Sequence, residues 1–275
     1  MSYDFYPNKE TKIFISISSN PGSSGSLFHN TCFKILGLNC IYIPMKVSNL
    51  KGVFESIKKF NFKGCSVSMP FKEHVIPYLD KFDVDVKNTQ NSNTIINKDN
   101  TLLGKNTDVY GAKNCLSKIQ KKKYKSAFIY GAGGVSKSIC LALLKNKFKK
   151  IYITSRNLNR FNNWPMIDKI NIISWKDRDK ISADLLVNAT PIGMHGINKN
   201  KSIISQDLVC NFKCVFDVVV SSSSTTLIDQ FKKERKNIIT GLEMSFHQAC
   251  KQFEYYNKIK PPIKEIKKIL KYKFI

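Results

Sequence analysis

The sequence is poor in arginine: of its 45 basic residues only four, Arg156, Arg160, Arg178 and Arg235, carry a guanidinium. Proteins that read base sequence depend on arginine forks for bidentate contacts to guanine and phosphate. The formal charge of +25 is therefore not a nucleic-acid signature, and no nucleic-acid partner is expected. The excess is lysine, spread over the whole chain with abundant Asn and Ile, and it resembles the residue usage of an AT-rich genome. What remains is a general, salt-screened attraction for anionic ligands. Missing too is any uninterrupted apolar run of the roughly 18–20 residues that a membrane helix needs, so no membrane partner is expected. The start, Met1-Ser2-Tyr3-Asp4-Phe5, lacks the basic-then-apolar layout of a secretory signal. The eight cysteines are scattered, with Cys40, Cys65 and Cys140 inside apolar segments. The one close pair, Cys210 and Cys214, has no second pair or histidine set to complete a zinc site. These features lead us to expect buried free thiols, no metal and a cytoplasmic location.

What is present is ordinary globular material. An apolar fraction of 42% argues against disorder, and 275 residues suffice for one large domain or two medium ones. Early in the chain, strands are expected at Lys12–Ser18, Cys40–Pro44, Gly64–Ser68 and Asn91–Asn97, the last followed by a turn at Lys98-Asp99-Asn100. Helices are expected between them at Ser26–Leu38 and Asn49–Phe60. This alternation implies a mostly parallel sheet with crossover helices. A cleaner pattern begins after the basic run Lys121-Lys122-Lys123, itself expected as a solvated helix end or loop. Strands are read at Ser126–Tyr130, Lys150–Thr154, Ile170–Ser174, Leu185–Asn188, Val215–Val220 and Asn237–Ile239, with a helix at about Val135–Lys145. That is a doubly wound α/β unit. Helices at Glu243–Tyr256 and after Pro261-Pro262 close the chain.

The segment Tyr130-Gly131-Ala132-Gly133-Gly134-Val135-Ser136 fits a strand, then G-x-G-x-x-small, then a helix. Gly131 permits the tight turn, Gly133 lets the backbone approach a pyrophosphate, and Ser136 is small enough for close helix–strand packing. The pyrophosphate would sit on the free N–H groups of the helix start. After the next strand comes Ser155-Arg156-Asn157-Leu158-Asn159-Arg160, with no acid to accept hydrogen bonds from ribose hydroxyls. Two of the four arginines fall here instead, and a guanidinium matches a 2′-phosphate in shape and charge. NADP(H) is the expected cofactor.

A second cluster lies earlier in the chain. Gly64-Cys65-Ser66-Val67-Ser68-Met69-Pro70-Phe71-Lys72-Glu73 is expected to join a strand to a helix through Pro70. Asn91-Ser92-Asn93-Thr94 and Gly104-Lys105-Asn106-Thr107-Asp108 follow. Alone, Lys72 reads as a surface charge and Asp108 as a helix cap; together with these neighbours they form a polar cluster at the ends of successive elements.

Over nearly its whole length the sequence resembles the shikimate dehydrogenase family. Val67–Glu73 is similar to the segment V-T-V/M-P-F/H-K-E, and Asn93-Thr94-Ile95-Ile96 to the V-N-T motif. Gly104–Gly111 is similar to G-x-N-T-D-x-x-G, Asn188–Met194 matches N-A-T-P-x-G-M, and Gly241–Ala249 resembles the closing G-L-x-M…Q-A helix. The resemblance implies reversible, NADPH-dependent reduction of 3-dehydroshikimate to shikimate, in chorismate and aromatic amino acid biosynthesis. It implies an N-terminal α/β substrate domain, a Rossmann-type NADP-binding domain, and C-terminal helices that pack back on the first. The expected limits are 1–107 with 241–275 for the substrate-binding, catalytic domain and 108–240 for the NADP-binding domain. By the resemblance Lys72 and Asp108 are the catalytic pair, Lys72 stabilising and protonating the developing oxygen and Asp108 orienting the amine. Ser23, Ser26, Ser68, Asn93, Asp108 and Gln248 are the expected substrate contacts. Gly131, Ala132, Gly133, Gly134, Val135, Ser155, Arg156, Asn157, Arg160, Thr190, Val219 and Gly241 are the expected cofactor contacts. The expected assembly is a monomer or a homodimer.

The chain departs from the family pattern in two places. The carboxylate-binding segment N-P-x-x-H-S-x-S-P-x-x-H-N is here Asn20–Asn30, two residues shorter, with Ser23 matched and Ser26 standing for the second serine. This version, with Ser66–Pro70 and Glu243, is closer to the shikimate dehydrogenase-like branch. A tyrosine common near the nicotinamide is replaced by Val220. A moved hydroxyl at a buried carboxylate costs on the order of 1–3 kcal/mol, enough to shift substrate preference. Three readings stay open: shikimate dehydrogenase, a paralogue acting on quinate or a related cyclic hydroxy acid, and a non-catalytic NADP-binding module. His29 and His247 are expected to be helix residues without metal partners.

Overall fold

The computed structural model describes residues 6–120, 124–194, 196, 198–221 and 223–270. The run Lys121-Lys122-Lys123 lies outside the described residues. The chain divides into two compact units, Met1–Thr107 with Gln248–Ile275, and Asp108–His247. Residues Gly241 to His247, expected with the first domain, group with the second unit. The reason is local: Gly241 is pressed onto the residues that follow the strand Phe212–Asp217, where a Cβ would meet the Val218 carbonyl oxygen at 2.3 Å.

In the first unit β1 (Lys12–Ser18), α1 (Ser24–Ile35), β2 (Cys40–Lys46), α2 (Val53–Lys59) and β3 (Gly64–Val67) alternate as the apolar runs imply. β1 pairs in parallel with β2 and with β3. It is buried on both faces. Ile15 and Ile17 pack with Phe54 and Ile57 of α2, while Phe14 meets the rings of Phe33 and Tyr256 at 5.5 and 5.1 Å.

Past β3 the expected helix after Pro70 does not form. Residues 71–75 are consecutive turns, followed by a 3-10 turn at Ile76–Tyr78. Pro77 has no N–H to continue an α-helix through this stretch. β4 (Lys81–Phe82), α3 (Val84–Thr89), β5 (Thr94–Lys98) and β6 (Thr101–Lys105) complete the unit's sheet, in the order β2-β1-β3-β5-β6-β4. Asp83 caps α3 by accepting from the Val86 N–H at 3.0 Å. The expected turn at Asp99-Asn100 is a two-residue hairpin loop with φ of 49° and 61°, the positive values such hairpins favour. β5 is thus antiparallel to both β3 and β6, and the sheet is mixed rather than wholly parallel.

The second unit holds α4 (Thr107–Gln120, its first residue in the first unit), β7 (Ser126–Tyr130), α5 (Gly134–Lys145), β8 (Lys150–Thr154) and β9 (Asn171–Ile173). β10 (Ala183–Asn188), β11 (Phe212–Asp217), α6 (Thr226–Lys233) and β12 (Asn237–Thr240) follow. Its sheet runs β12-β11-β10-β7-β8-β9, and every pair is parallel. β7 alternates between two cores. Ala127 and Ile129 join Ala112 and Leu116 of α4 and Ile139 and Leu143 of α5; Phe128 and Tyr130 join Leu227, Ile228 and Phe231 of α6. Helices on both faces of a parallel sheet make this a doubly wound domain, with its topological switch between β7 and β10.

α7 (Gly241–Asn257) begins in the second unit and ends in the first, and α8 (Ile263–Ile269) follows Pro261-Pro262. Phe253 and Ile266 are fully buried, so the C-terminal helices return to the first unit's core as expected. No helix among the described residues is long and apolar enough to cross a membrane.

Candidate active site

The glycine turn of the second unit lies at the switch point between β7 and α5. Gly131 has φ +111°, and a Cβ there would stand 2.6 Å from the Ala189 carbonyl oxygen, so only glycine fits. Its N–H donates to the Thr154 carbonyl at 2.9 Å, tying the turn to the end of β8. Gly133 is the N-cap of α5, and a Cβ on it would meet nothing within 4 Å. That open space lies over a helix start whose first turn contains no acid. The turn is a cradle for an anion at the positive end of a helix dipole. Gly134 and Val135 are half-buried in that first turn, Ala132 is buried, and Ser136 is fully buried against the strand.

At the end of β8, Ser155 accepts from the Asn157 N–H at 3.3 Å, and Asn157 caps a 3-10 turn by accepting from the Asn159 N–H at 3.0 Å. The side chains of Arg156 and Arg160 are exposed on this loop, and neither has a carboxylate partner among the described residues. Two unspent guanidiniums on an ordered loop suit a phosphate monoester.

The strand ends beyond the switch point are fastened by a cluster the sequence did not reveal. Asn188, last in β10, donates from Nδ2 to Asp217 Oδ1 at 3.0 Å and to the Ile192 carbonyl at 2.9 Å. Its Oδ1 accepts from the Thr190 N–H at 3.1 Å and the Thr190 hydroxyl at 2.7 Å. Asp217 also accepts from the Val219 N–H at 3.1 Å and the Thr225 hydroxyl at 2.6 Å. Burial pushes the Asp217 carboxyl up, and these three donors act against that push. Thr190 and Val219, two expected cofactor contacts, are thereby held at adjoining strand ends, and Gly241, a third, opens α7 directly after β12. The sequence signal was an Asp inside the apolar run expected as the strand Val215–Val220, whereas the strand ends at Asp217.

In the first unit the segments around Asn93 and Asn106 are cross-linked. Ser92 donates from its N–H to the Lys72 carbonyl at 2.8 Å and from its hydroxyl to the Lys105 carbonyl at 2.9 Å. Asn106 donates to Thr89 Oγ1 at 2.9 Å and to Asn91 Oδ1 at 2.8 Å. Asn93, 4% exposed, accepts on Oδ1 from the Thr107 N–H at 2.8 Å and donates from Nδ2 to Gln248 Oε1 at 3.3 Å. Asn93, Thr107 and Gln248 are thus brought into one network, and the Lys72 backbone is tied beside it through Ser92. Asp108 follows Thr107 directly and is 5% exposed in the first turn of α4. The side chain of Lys72 is half-buried.

The serines are more open. Ser23 is exposed at the N-cap position of α1 with no side-chain cap. The Ser26 hydroxyl donates to the Ser23 carbonyl at 2.9 Å, so its proton is spent on its own turn. Ser68 is exposed, its N–H held by the Ile17 carbonyl at 3.0 Å. His29 lies in the core, its ring stacked on Tyr42 at 4.5 Å. Of the cysteines, Cys210 is exposed and the others are buried, all as free thiols. No group of His, Cys, Asp and Glu among the described residues is arranged to hold a metal ion.

A doubly wound parallel sheet with a glycine turn at its switch point, and a separate α/β unit carrying a cross-linked amide cluster, define a two-domain dinucleotide-binding protein. The family model described as the shikimate dehydrogenase substrate binding domain matches residues 21–95. A shikimate dehydrogenase (NADP(+)) of Methanosphaera stadtmanae is 33% identical, over 88% of this chain and 89% of its own. A shikimate dehydrogenase-like protein of Haemophilus influenzae is 30% identical, over 92% of this chain and 93% of its own. The crystal structure of a shikimate dehydrogenase in complex with NADP+ superposes with a TM-score of 0.84 at 27% identity, covering 98% of both chains. The chain belongs to the shikimate dehydrogenase family.

Proposed function

We propose that this protein is an NADP-dependent shikimate dehydrogenase, an oxidoreductase that interconverts shikimate and 3-dehydroshikimate in aromatic amino acid biosynthesis. The observation that carries the reading is the presence, in one chain, of the nucleotide turn opened by Gly131 and the cross-linked cluster around Asn93. The residues present fit NADP(H). The Gly133 cradle leaves room for a pyrophosphate, and Arg156 and Arg160 stand where an NAD site would place an acid. When bound, NADP(H) would supply the hydride acceptor in one direction and the hydride donor in the other.

The chain's own residues handle the proton and the orientation. Lys72 accepts the hydroxyl proton as the alcohol is oxidised and gives it back as the ketone is reduced. Asp108 orients the amine, which stabilises negative charge on the reacting oxygen. Asn93 and Gln248 hold ring oxygens, and Ser23, Ser26 and Ser68 meet the carboxylate side of the ligand. Gly131–Val135 bind the pyrophosphate, Ser155–Asn157 and Arg160 the adenosine phosphate, and Thr190, Val219 and Gly241 the nicotinamide end. The domains carrying these roles are 1–107 with 241–275 and 108–240. The protein works in the cytoplasm as a monomer or homodimer.

The test is shikimate-dependent reduction of NADP+ by the purified protein, run beside quinate and beside NAD+. Turnover with shikimate and NADP+ is the expected result. Preference for quinate would instead support the second reading, which the Ser26 hydroxyl, turned onto the Ser23 carbonyl, favours. Tight NADPH binding with no turnover of either acid would leave a non-catalytic nucleotide-binding module.

A further inference from the structure

A primary amide has two ends of the same shape and opposite polarity, so its neighbours must decide which end meets a ligand. Within the first unit, Gln248 and Gln252 lie four residues apart on one face of α7. Gln252 is 3% exposed, and all of its hydrogen-bonding capacity is used. Its Oε1 accepts from the Ser66 hydroxyl at 2.8 Å and faces His29 Nε2 at 3.1 Å. Its Nε2 donates to Thr94 Oγ1 at 2.8 Å and to the Asn93 carbonyl at 3.3 Å.

We propose that Gln252 is a positioning residue for the substrate site, setting the direction of a hydrogen-bond chain that turns the Asn93 amide and, through it, the Gln248 amide so that Gln248 offers its N–H groups to the ligand. The proposal rests on the reading of Asn93 and Gln248 as substrate contacts. The chain starts at phenols. Tyr42 donates to Ser66 Oγ at 2.5 Å, and the Tyr256 hydroxyl lies 3.2 Å from the same oxygen. Burial pushes both phenols up, so they keep their protons. With Tyr42 donating to it, Ser66 sends its single proton to Gln252 Oε1, which leaves Gln252 Nε2 facing Thr94.

Thr94, having accepted from Gln252, donates its own proton to Asn93 Oδ1 at 3.0 Å. That oxygen also accepts from the Thr107 N–H at 2.8 Å and lies 3.1 Å from the Thr107 hydroxyl. An amide nitrogen cannot accept these bonds, so Asn93 is locked with Nδ2 toward Gln248. Nδ2 donates to Gln248 Oε1 at 3.3 Å, and the Thr107 hydroxyl lies 3.1 Å from that same oxygen. Gln248 Nε2 is then turned away from these partners, and no protein acceptor meets it among the described residues. An amide that presents only N–H groups selects a ligand rich in oxygen acceptors, such as a polyhydroxylated ring acid. It disfavours one that must donate at the same point.

Gln252→Glu keeps the shape and reverses the polarity, because an ionised carboxylate only accepts. Thr94 then donates to Glu at 252, and Asn93 Oδ1 loses a partner. The expected result is a KM for shikimate raised about tenfold, the size of one lost buried hydrogen bond, with the KM for NADP+ unchanged. Lowering the pH should protonate the new carboxyl, restore a donor and bring the KM back toward that of the wild type. Thr94→Val breaks the same chain with Gln252 intact, and should raise the same KM should Gln252→Glu fail to fold. Equal rises in both KM values, or an unchanged shikimate KM in either folded variant, would overturn the proposal. Side-chain amide NMR of the ligand-free protein separates this from a failure of the functional reading. The Asn93 NH2 should show a cross-peak to Gln248 in the wild type and lose it in Gln252→Glu. Retention of that cross-peak sinks the proposal whatever the substrate, whereas wild-type inactivity on shikimate sinks only the functional reading.

Discussion

Asn188 and Asp217 are register partners at the ends of β10 and β11, and the Asn188 Nδ2–H donates to Asp217 Oδ1 at 3.0 Å. Each then reaches into its own loop, Asn188 to Thr190 and Asp217 to Val219 and Thr225. One buried pair therefore fixes both loops assigned to the nicotinamide end. Asp217→Ala leaves three buried donors without an acceptor, a loss on the order of 3 kcal/mol. Urea unfolding should show that loss, and the KM for NADP+ should rise while the KM for shikimate changes little. A variant as stable as the wild type would refute the assignment.

Arg156 and Arg160 are exposed on the loop after β8, and their worth there is electrostatic and geometric. Arg156→Ala should raise the KM for NADP+ by roughly tenfold or more, the scale of one charge-assisted hydrogen bond, and leave the KM for NAD+ unchanged. Raising the salt concentration should narrow the difference between variant and wild type, because exposed charges are screened. Equal effects on both nucleotides would show that neither guanidinium meets a 2′-phosphate.

Lys72→Ala removes the group proposed to carry the proton. Turnover should fall by about 10²–10⁴-fold, the usual range for a general acid–base. NADPH binding, followed by nucleotide fluorescence, should be unaltered, because the cofactor contacts lie on other residues. Near-normal turnover would remove Lys72 from the mechanism.

Much of the second unit was legible because its strands are buried on both faces and read as continuous apolar runs, as Ser126–Tyr130 and Lys150–Thr154 do. Its α4 and α6 were not, since Gly111 and scattered polar residues blur the helical period of the one and the other is only Thr226–Lys233. In the first unit, β4 has two residues and α3 has six, too few for any periodicity to register. Lys72 and Asp108 were legible as motif members, whereas Gln252 and Asp217 were not. Their chemistry lies in partners distant along the chain, and the Gln252–Thr94 contact spans 158 positions. Spacing within a motif cannot reveal such a partner. His29 shows the same limit from the other side, because its spacing gave a helix residue and only packing revealed how it titrates.

Burial in the aromatic core holds the His29 imidazole down at about 4, its hydrogen bond with Gln252 acting weakly the other way. Gln252 spends its Nε2 on Thr94 and Asn93, so His29 must be the N–H donor to Gln252 Oε1 and is neutral in the fold. The sign follows from linkage. In the unfolded chain the imidazole takes its proton near 6.5, so acid favours unfolding first there, and the folded state catches up only near 4. The stability that neutral His29 contributes is full above about 6.5 and is lost as the pH falls through that window, by about 3 kcal/mol in all. His29→Gln keeps an N–H donor and cannot titrate. Urea midpoints taken from pH 7 to pH 4 should therefore fall more steeply for the wild type than for His29→Gln. Parallel curves would mean that His29 does not titrate differently in the fold.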